Sequence, residues 1–142
     1  MSYGPSIDRG KGPAVVLVHG LAGFKEAWGA LPEALVDAGF RVVAVDLPGS
    51  GGAPAPRRGR VDSRAHTRTL APLVRGLAPV AVVGHSLGAQ VALGLAASDP
   101  GGVGAVALLA PVVVPWTRRR IPRGPAEWLL VPGLGPPFAR LA

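Results

Sequence analysis

The sequence predicts an α/β domain: a mostly parallel sheet with flanking helices. Short apolar runs recur at Ala14–Val18, Arg41–Val45, 80–83 and 105–110, the first three rich in valine, each closed by a turn bearing glycine or proline. Segments with helical spacing of apolar residues lie between the runs. Such runs suit strands covered on both faces, as in a parallel sheet. Strand and helix alternating at this pace call for βαβ units with right-handed crossovers.

Taken in order, residues 1–12 are polar and glycine-rich and read as a loose lead-in. Ala14–Val18 is the first strand and stops at His19-Gly20. Across 26–38, Trp28, Leu31, Leu35 and Ala38 recur at three- and four-residue spacing, with Glu33 and Asp37 off that stripe. This predicts a helix ending at Gly39. Pro32 belongs to its first turn if the helix begins near Leu31. Arg41–Val45 is the next strand, followed by Asp46-Leu47-Pro48-Gly49-Ser50-Gly51-Gly52 and a Pro/Arg/Gly loop over 53–60. Residues 62–77 become apolar at Leu70, Leu73, Val74 and Leu77, which fits a helix interrupted by Pro72. Strand 80–83, helix 89–97 and strand 105–110 complete a core spanning 13–111. Residues 112–142 form a Pro/Arg-rich tail with one helical fragment at 126–131.

Composition narrows the functions open to the chain. At 142 residues and 49% hydrophobic it is long and apolar enough for one folded domain. The net charge of +7 is carried mainly by arginine, since lysine occurs only at Lys11 and Lys25. Three phenylalanines and one tyrosine leave few platforms for stacking bases, so no nucleic-acid partner is expected. Without cysteine there is no disulfide framework and no thiolate nucleophile or metal ligand. His19, His66 and His85 lack metal-ligand spacing, and His66 lies in an arginine-rich segment with Arg57, Arg58, Arg60, Arg64, Arg68 and Arg75. No metal is expected. The N-terminus lacks the apolar segment of a secretory signal, and the longest apolar stretch, 103–114, is too short for a membrane span. A cytoplasmic protein is therefore expected. Phosphate-cradling motifs are absent: residues 19–23 do not match G-x-G-x-x-G, and Pro54 and Pro56 follow Gly49–Gly52 where a helix would have to begin. No cofactor is expected.

One stretch carries chemistry. Gly84-His85-Ser86-Leu87-Gly88 joins an apolar strand to an Ala/Leu-rich helix. A serine hydroxyl attacks a carbonyl only when held exposed beside a base, and a sharp strand-to-helix turn holds it so at the expense of backbone strain. Side chains at Gly84 and Gly88 would collide across such a turn. The helix start then points free N–H groups at the place where negative charge develops. The competing reading makes Ser86 a helix cap and Gly84 a strand end.

The G-x-S-x-G stretch in this setting resembles the nucleophile elbow of the alpha/beta-hydrolase family. Two further stretches resemble the family: Val15-Val16-Leu17-Val18-His19-Gly20-Leu21-Ala22-Gly23, and Asp46-Leu47-Pro48-Gly49-Ser50-Gly51. Ala53 and Ala89 depart mildly from the family pattern. The resemblance implies cofactor-free hydrolysis of an ester, amide or related bond in a small-molecule substrate. Ser86 would be the nucleophile, and the backbone N–H groups of Leu21 and Leu87 would form the oxyanion hole. His19, Gly20, Asp46, Gly84, His85 and Gly88 would support them structurally: His19 by bracing a loop, Asp46 by accepting backbone or His19 hydrogen bonds, and His85 by pointing away from the attack direction. The arginines of 57–75 would be solvated surface or a rim that steers an anionic ester.

The family order is serine, acid, histidine, yet no histidine follows His85, and only Asp99 and Glu127 are acids after Ser86. Asp99 precedes Pro100 and reads as a turn residue. The resemblance thus implies a partial fold, with C-terminal strands missing, the family's first antiparallel strands largely absent before Pro13, and 112–142 as the start of a lid segment. Three accounts fit: the N-terminal half of a longer hydrolase, a short protein that keeps the elbow for binding, or a chain whose histidine comes from a partner. Weak or no activity alone, and self-association through an exposed sheet edge, are expected.

Overall fold

A computed structural model describes residue 4 and residues 6–55 and 62–112. Its elements are β1 (Ser6–Arg9), β2 (Ala14–Val18), a 3-10 turn (Lys25–Trp28), α1 (Leu31–Asp37), β3 (Arg41–Val45), α2 (Ser63–Leu77), β4 (Val80–His85), α3 (Leu87–Ser98) and β5 (Val103–Leu109). The sheet runs β1-β3-β2-β4-β5. Only β1 is antiparallel to its neighbour; the β3–β2, β2–β4 and β4–β5 pairs are parallel.

The apolar runs are explained by the two layers they separate. Along β2, successive side chains leave the sheet on opposite sides. Val16 and Val18 join Val43, Val45, Val80 and Val82 beneath α2 and α3, which contribute Leu70, Val74, Val91, Ala92 and Leu95. Val15 and Leu17 join Val42 and Ala44 on the other face, against Leu31 and Leu35 of α1. Both faces are covered, so no polar alternation survives in β2 or β3.

The helices begin and end where local chemistry requires. The expected helix over 26–38 is divided: the 3-10 turn ends at Gly29, whose φ is 57°, and α1 starts at Leu31 with Pro32 in its first turn. Gly39, at φ 90°, closes it. In α2, the Asp62 carboxylate accepts the Ala65 N–H at 2.9 Å and caps the helix. Pro72 does not interrupt it. That residue is exposed, so the carbonyl it leaves without a donor lies on the solvent side. Both α3 and β4 are longer than their sequence patterns suggest, meeting at Ser86 without a loop.

Two expectations are corrected. The lead-in is not wholly loose: β1 pairs with β3 from Ser6↔Val45 to Arg9↔Val42. This also supplies an antiparallel strand before Pro13. Its short polar sequence hides it, because an edge strand needs backbone partners more than apolar side chains. Secondly, the strand expected at 105–110 spans Val103–Leu109 and is mostly exposed, and nothing among the described residues pairs with its outer edge. The expected tail over 112–142, the helical fragment 126–131, and Arg57, Arg58 and Arg60 lie outside the described residues, apart from Val112. No described helix is long and apolar enough to cross a membrane.

Leu95 and Leu93 stand two residues apart on α3, yet Leu95 is 1% exposed and Leu93 45%. Leu95→Ala is expected to cost about 2–5 kcal/mol and Leu93→Ala less than about 0.5 kcal/mol. Urea unfolding of the two variants checks the assigned face of the helix.

Candidate active site

The site begins with a register. Val18 of β2 pairs with Gly84 of β4 in parallel, so His19-Gly20 and His85-Ser86 leave the sheet side by side. The turn after β4 is then set by close backbone approaches. A Cβ on Gly84 would run into the Gly88 carbonyl oxygen, and one on Gly88 into the carbonyl oxygen of Val18. Glycine at both positions lets α3 start directly above the end of β2.

Ser86 occupies the turn with φ 53° and ψ −112°. An L residue at positive φ in this region is strained. Its N–H donates to the Leu109 carbonyl of β5 at 2.9 Å, and its carbonyl accepts from the Ala89 N–H at 3.1 Å. The hydroxyl makes no capping bond to α3, which removes the helix-cap reading. Leu87 is the first residue of α3, where an N–H has no intrahelical carbonyl.

The loop after β2 lies against this turn. A Cβ on Gly20 would stand 3.0 Å from His85 Nδ1 and 3.1 Å from Ser86 Cβ. The chain then turns through Ala22, at φ 57°, with the Gly23 N–H donating to Gly20 O at 3.1 Å. Leu21 at the tip is 82% exposed. The Leu21 N–H makes no backbone hydrogen bond among the described residues.

His19 is buried, and both its ring nitrogens are taken by backbone. Nδ1 lies 2.7 Å from Gly20 O, and Nε2 accepts the Leu47 N–H at 3.1 Å. These partners assign the tautomer with hydrogen on Nδ1. The ring therefore ties the loop after β2 to the loop after β3. Asp46, expected to accept backbone or His19 bonds, takes the first kind only. Its carboxylate accepts the Lys25 N–H at 2.7 Å, the Gly52 N–H at 2.9 Å and the Lys25 ammonium at 2.8 Å. Gly51, at φ 54°, passes so near that a Cβ would strike the carboxyl group. Burial pushes the Asp46 carboxyl up, but the Lys25 ammonium and the two backbone donors outweigh it and hold the group below its ordinary value. Asp46 and then Glu26 raise Lys25 in return.

His85 is exposed and lines a cavity of about 330 Å³ together with His19, Gly20, Leu21, Ala22, Gly23, Ala27 and Trp28. Ser86 is not in that wall; Gly20 stands between. The Trp28 indole N–H is buried there with no partner among the described residues. Asp99 behaves as a turn residue, accepting the Gly102 N–H at 3.0 Å. Glu127 lies outside the described residues.

Two residues escaped the sequence reading. Lys25, the partner of Asp46, gives no local signal, because the contact joins separate loops. His66 is not a surface group of the arginine segment: it is 3% exposed, and its Nδ1 has no partner among the described residues. Burial first, then the nearby His19, lowers its pKa, opposed by Asp62. Its spacing from Leu70 and Val74, four and eight residues, was the available clue.

Residues 13–130 match the family model described as alpha/beta hydrolase fold. An esterase of Mycobacterium tuberculosis is 38% identical over 102 residues, covering 70% of this chain and 33% of that protein. The lipase LipV of the same organism is 40% identical over 114 residues, covering 78% and 40% respectively. Among solved structures, Cfl2 from Burkholderia cenocepacia superposes with a TM-score of 0.72 at 32% identity, covering 88% of this chain and 44% of that one. A monoacylglycerol lipase from Paleococcus ferrophilus gives a TM-score of 0.72 at 28% identity, covering 92% and 49%. The chain thus spans less than half the length of these relatives.

Asp46→Asn is expected to lower the urea midpoint at pH 7, because the Lys25 ammonium loses its buried carboxylate. A carboxylate with a depressed folded-state pKa stabilises above its unfolded value, and that contribution is lost as pH falls through the folded one. The gap between wild type and variant should therefore close below the ordinary value of 3.8. Unfolding curves across pH 2–7 check this.

Proposed function

The chain belongs to the alpha/beta-hydrolase fold family, and on that premise we propose a serine-nucleophile chemistry directed at an ester, amide or related bond. The conformation of Ser86 carries the reading: positive φ between β4 and α3, with a hydroxyl not spent on capping. Strain of this kind persists only where surrounding structure enforces it.

In this reading the Ser86 hydroxyl attacks the carbonyl carbon, and the N–H groups of Leu21 and Leu87 receive the charge that develops on its oxygen. The hydroxyl proton passes to a general base that these 142 residues do not supply in family order, since no histidine follows His85. His19 is a poor substitute, as both its nitrogens are bound to backbone. The base and its acid partner are therefore assigned to polypeptide outside this sequence. Among the described residues the cavity beside Gly20 is lined by no Asp, Glu, Lys or Arg, which suits an uncharged acyl or alcohol group. In a second reading the same fold binds a small molecule or protein, at the cavity beside Gly20, without catalysis.

A fluorophosphonate ester separates the two. Slow labelling of the wild-type chain is expected, faster with added imidazole as a surrogate base, and none in Ser86→Ala. No Ser86-dependent adduct even with imidazole would overturn the nucleophile and leave the binding reading.

We further propose that the isolated chain self-associates through β5. Val103–Leu109 contains no charged residue and no proline, and its outer edge is unpaired among the described residues. The opposite edge, β1, is short and carries Asp8 and Arg9. Sedimentation velocity should show oligomers that shift toward monomer in Ala107→Lys. A monodisperse, cooperatively unfolding wild-type monomer would be the contrary result.

A further inference from the structure

Helix α2 exposes Arg64, Arg68 and Arg75. Separations of four and seven residues put the three on one stripe of the helix, about 16 Å long at 1.5 Å per residue. The opposite side of α2, with Ala65, His66, Leu70 and Val74, is buried. Elsewhere Arg9 pairs with Glu33, Arg41 with Asp8, and Lys25 with Asp46 and Glu26. The α2 arginines are not among these pairs, and Ser63–Leu77 contains no acidic residue. In sequence, Arg57, Arg58 and Arg60 immediately precede the helix.

The stripe therefore presents a straight row of guanidinium groups to solvent. Guanidinium forks match phosphate oxygens in pairs. Leu93 of α3 is 45% exposed on the outward side of the same helical layer, and its neighbour Gly94 abuts Thr67 of α2. A row of cations with an exposed leucine beside it fits a surface that is anionic outside and apolar beneath. Nucleic acid fits less well. No aromatic side chain lies on α2 or α3 apart from the buried His66, so bases would find no stacking platform.

We infer that this face of α2 docks the protein peripherally on an anionic phospholipid surface, with the arginines on the phosphates. Docking of this kind requires nothing of Ser86.

Vesicle flotation of the full chain tests it, using phosphatidylcholine vesicles with and without about three-tenths phosphatidylglycerol. Flotation keeps self-associated protein from counting as bound. Binding to the anionic vesicles alone is expected, weakening as salt rises above about 0.1 M. Arg64→Gln/Arg68→Gln/Arg75→Gln should lower the partition coefficient about a hundredfold, and Arg68→Gln alone about fivefold. A control, Arg9→Gln/Lys11→Gln/Arg41→Gln, removes the same formal charge elsewhere and should stay within about threefold of wild type. Equal losses in the two triple variants would reduce the effect to net charge and overturn the inference. So would unchanged binding in the stripe variant, or displacement from vesicles by an equal phosphate concentration of duplex DNA.

Discussion

The parallel pairing of β2 with β4 is the constraint on which the candidate site depends. It delivers two turns to one place and forces their backbones together. At Gly88 the first turn of α3 rests on the Val18 carbonyl, at Gly84 the elbow closes on the Gly88 carbonyl, and at Gly20 the neighbouring loop rests on Ser86 Cβ. A methyl group at Gly84 or Gly88 would have to displace main chain, which has no rotamer with which to yield. Ser86 keeps its unfavourable dihedrals because the strand before it, the helix after it and the hydrogen bond to Leu109 leave no other path.

A second set of contacts holds the loops that surround the turn. His19 fastens the loop after β2 to Leu47, and Asp46 fastens the loop after β3 to both the backbone and ammonium of Lys25. Asp46 also draws in Gly52. These are buried polar groups, whose desolvation is tolerable only because each finds partners. The consequence is mechanical: Gly20–Gly23 cannot be moved without disturbing Asp46 and Leu47. The position of the Leu21 N–H relative to Ser86 is therefore governed in part by Asp46, Leu47 and Lys25, which are not in the cavity wall.

Much of this was legible in the chain because its causes are local. The four apolar runs mark four strands of the sheet, although β5 is mostly exposed, and the G-x-S-x-G stretch marks the junction of β4 and α3. Pro32 marked the start of α1, and Asp62 the start of α2. What escaped is non-local or weakly patterned. β1 is held by backbone pairing with β3, so its side chains give no periodic signal. The Lys25–Asp46 pair spans two loops. His66 was misjudged because the arginines around it dominate composition, while the helical phase that buries it is visible only once α2 is known to pack on the sheet. At Asp46 the sequence suggests a turn-stabilising carboxylate but gives no sign of Lys25, whose ammonium and N–H donate to it.

The remaining asymmetry is between the two edges of the sheet. At β1 the charged pairs Arg41–Asp8 and Arg9–Glu33 sit on the edge and discourage further pairing. At β5 nothing comparable exists among the described residues, although its sequence is as apolar as that of the buried strands. This edge is not remote from the chemistry. The Leu109 carbonyl, at the end of β5, accepts the N–H of Ser86 itself. Any fraying of β5 would release the hydrogen bond that helps hold Ser86 at positive φ, and any strand laid against β5 would suppress that fraying. The geometry of the proposed nucleophile is thus coupled to whatever covers the open edge, through a single backbone hydrogen bond 2.9 Å long.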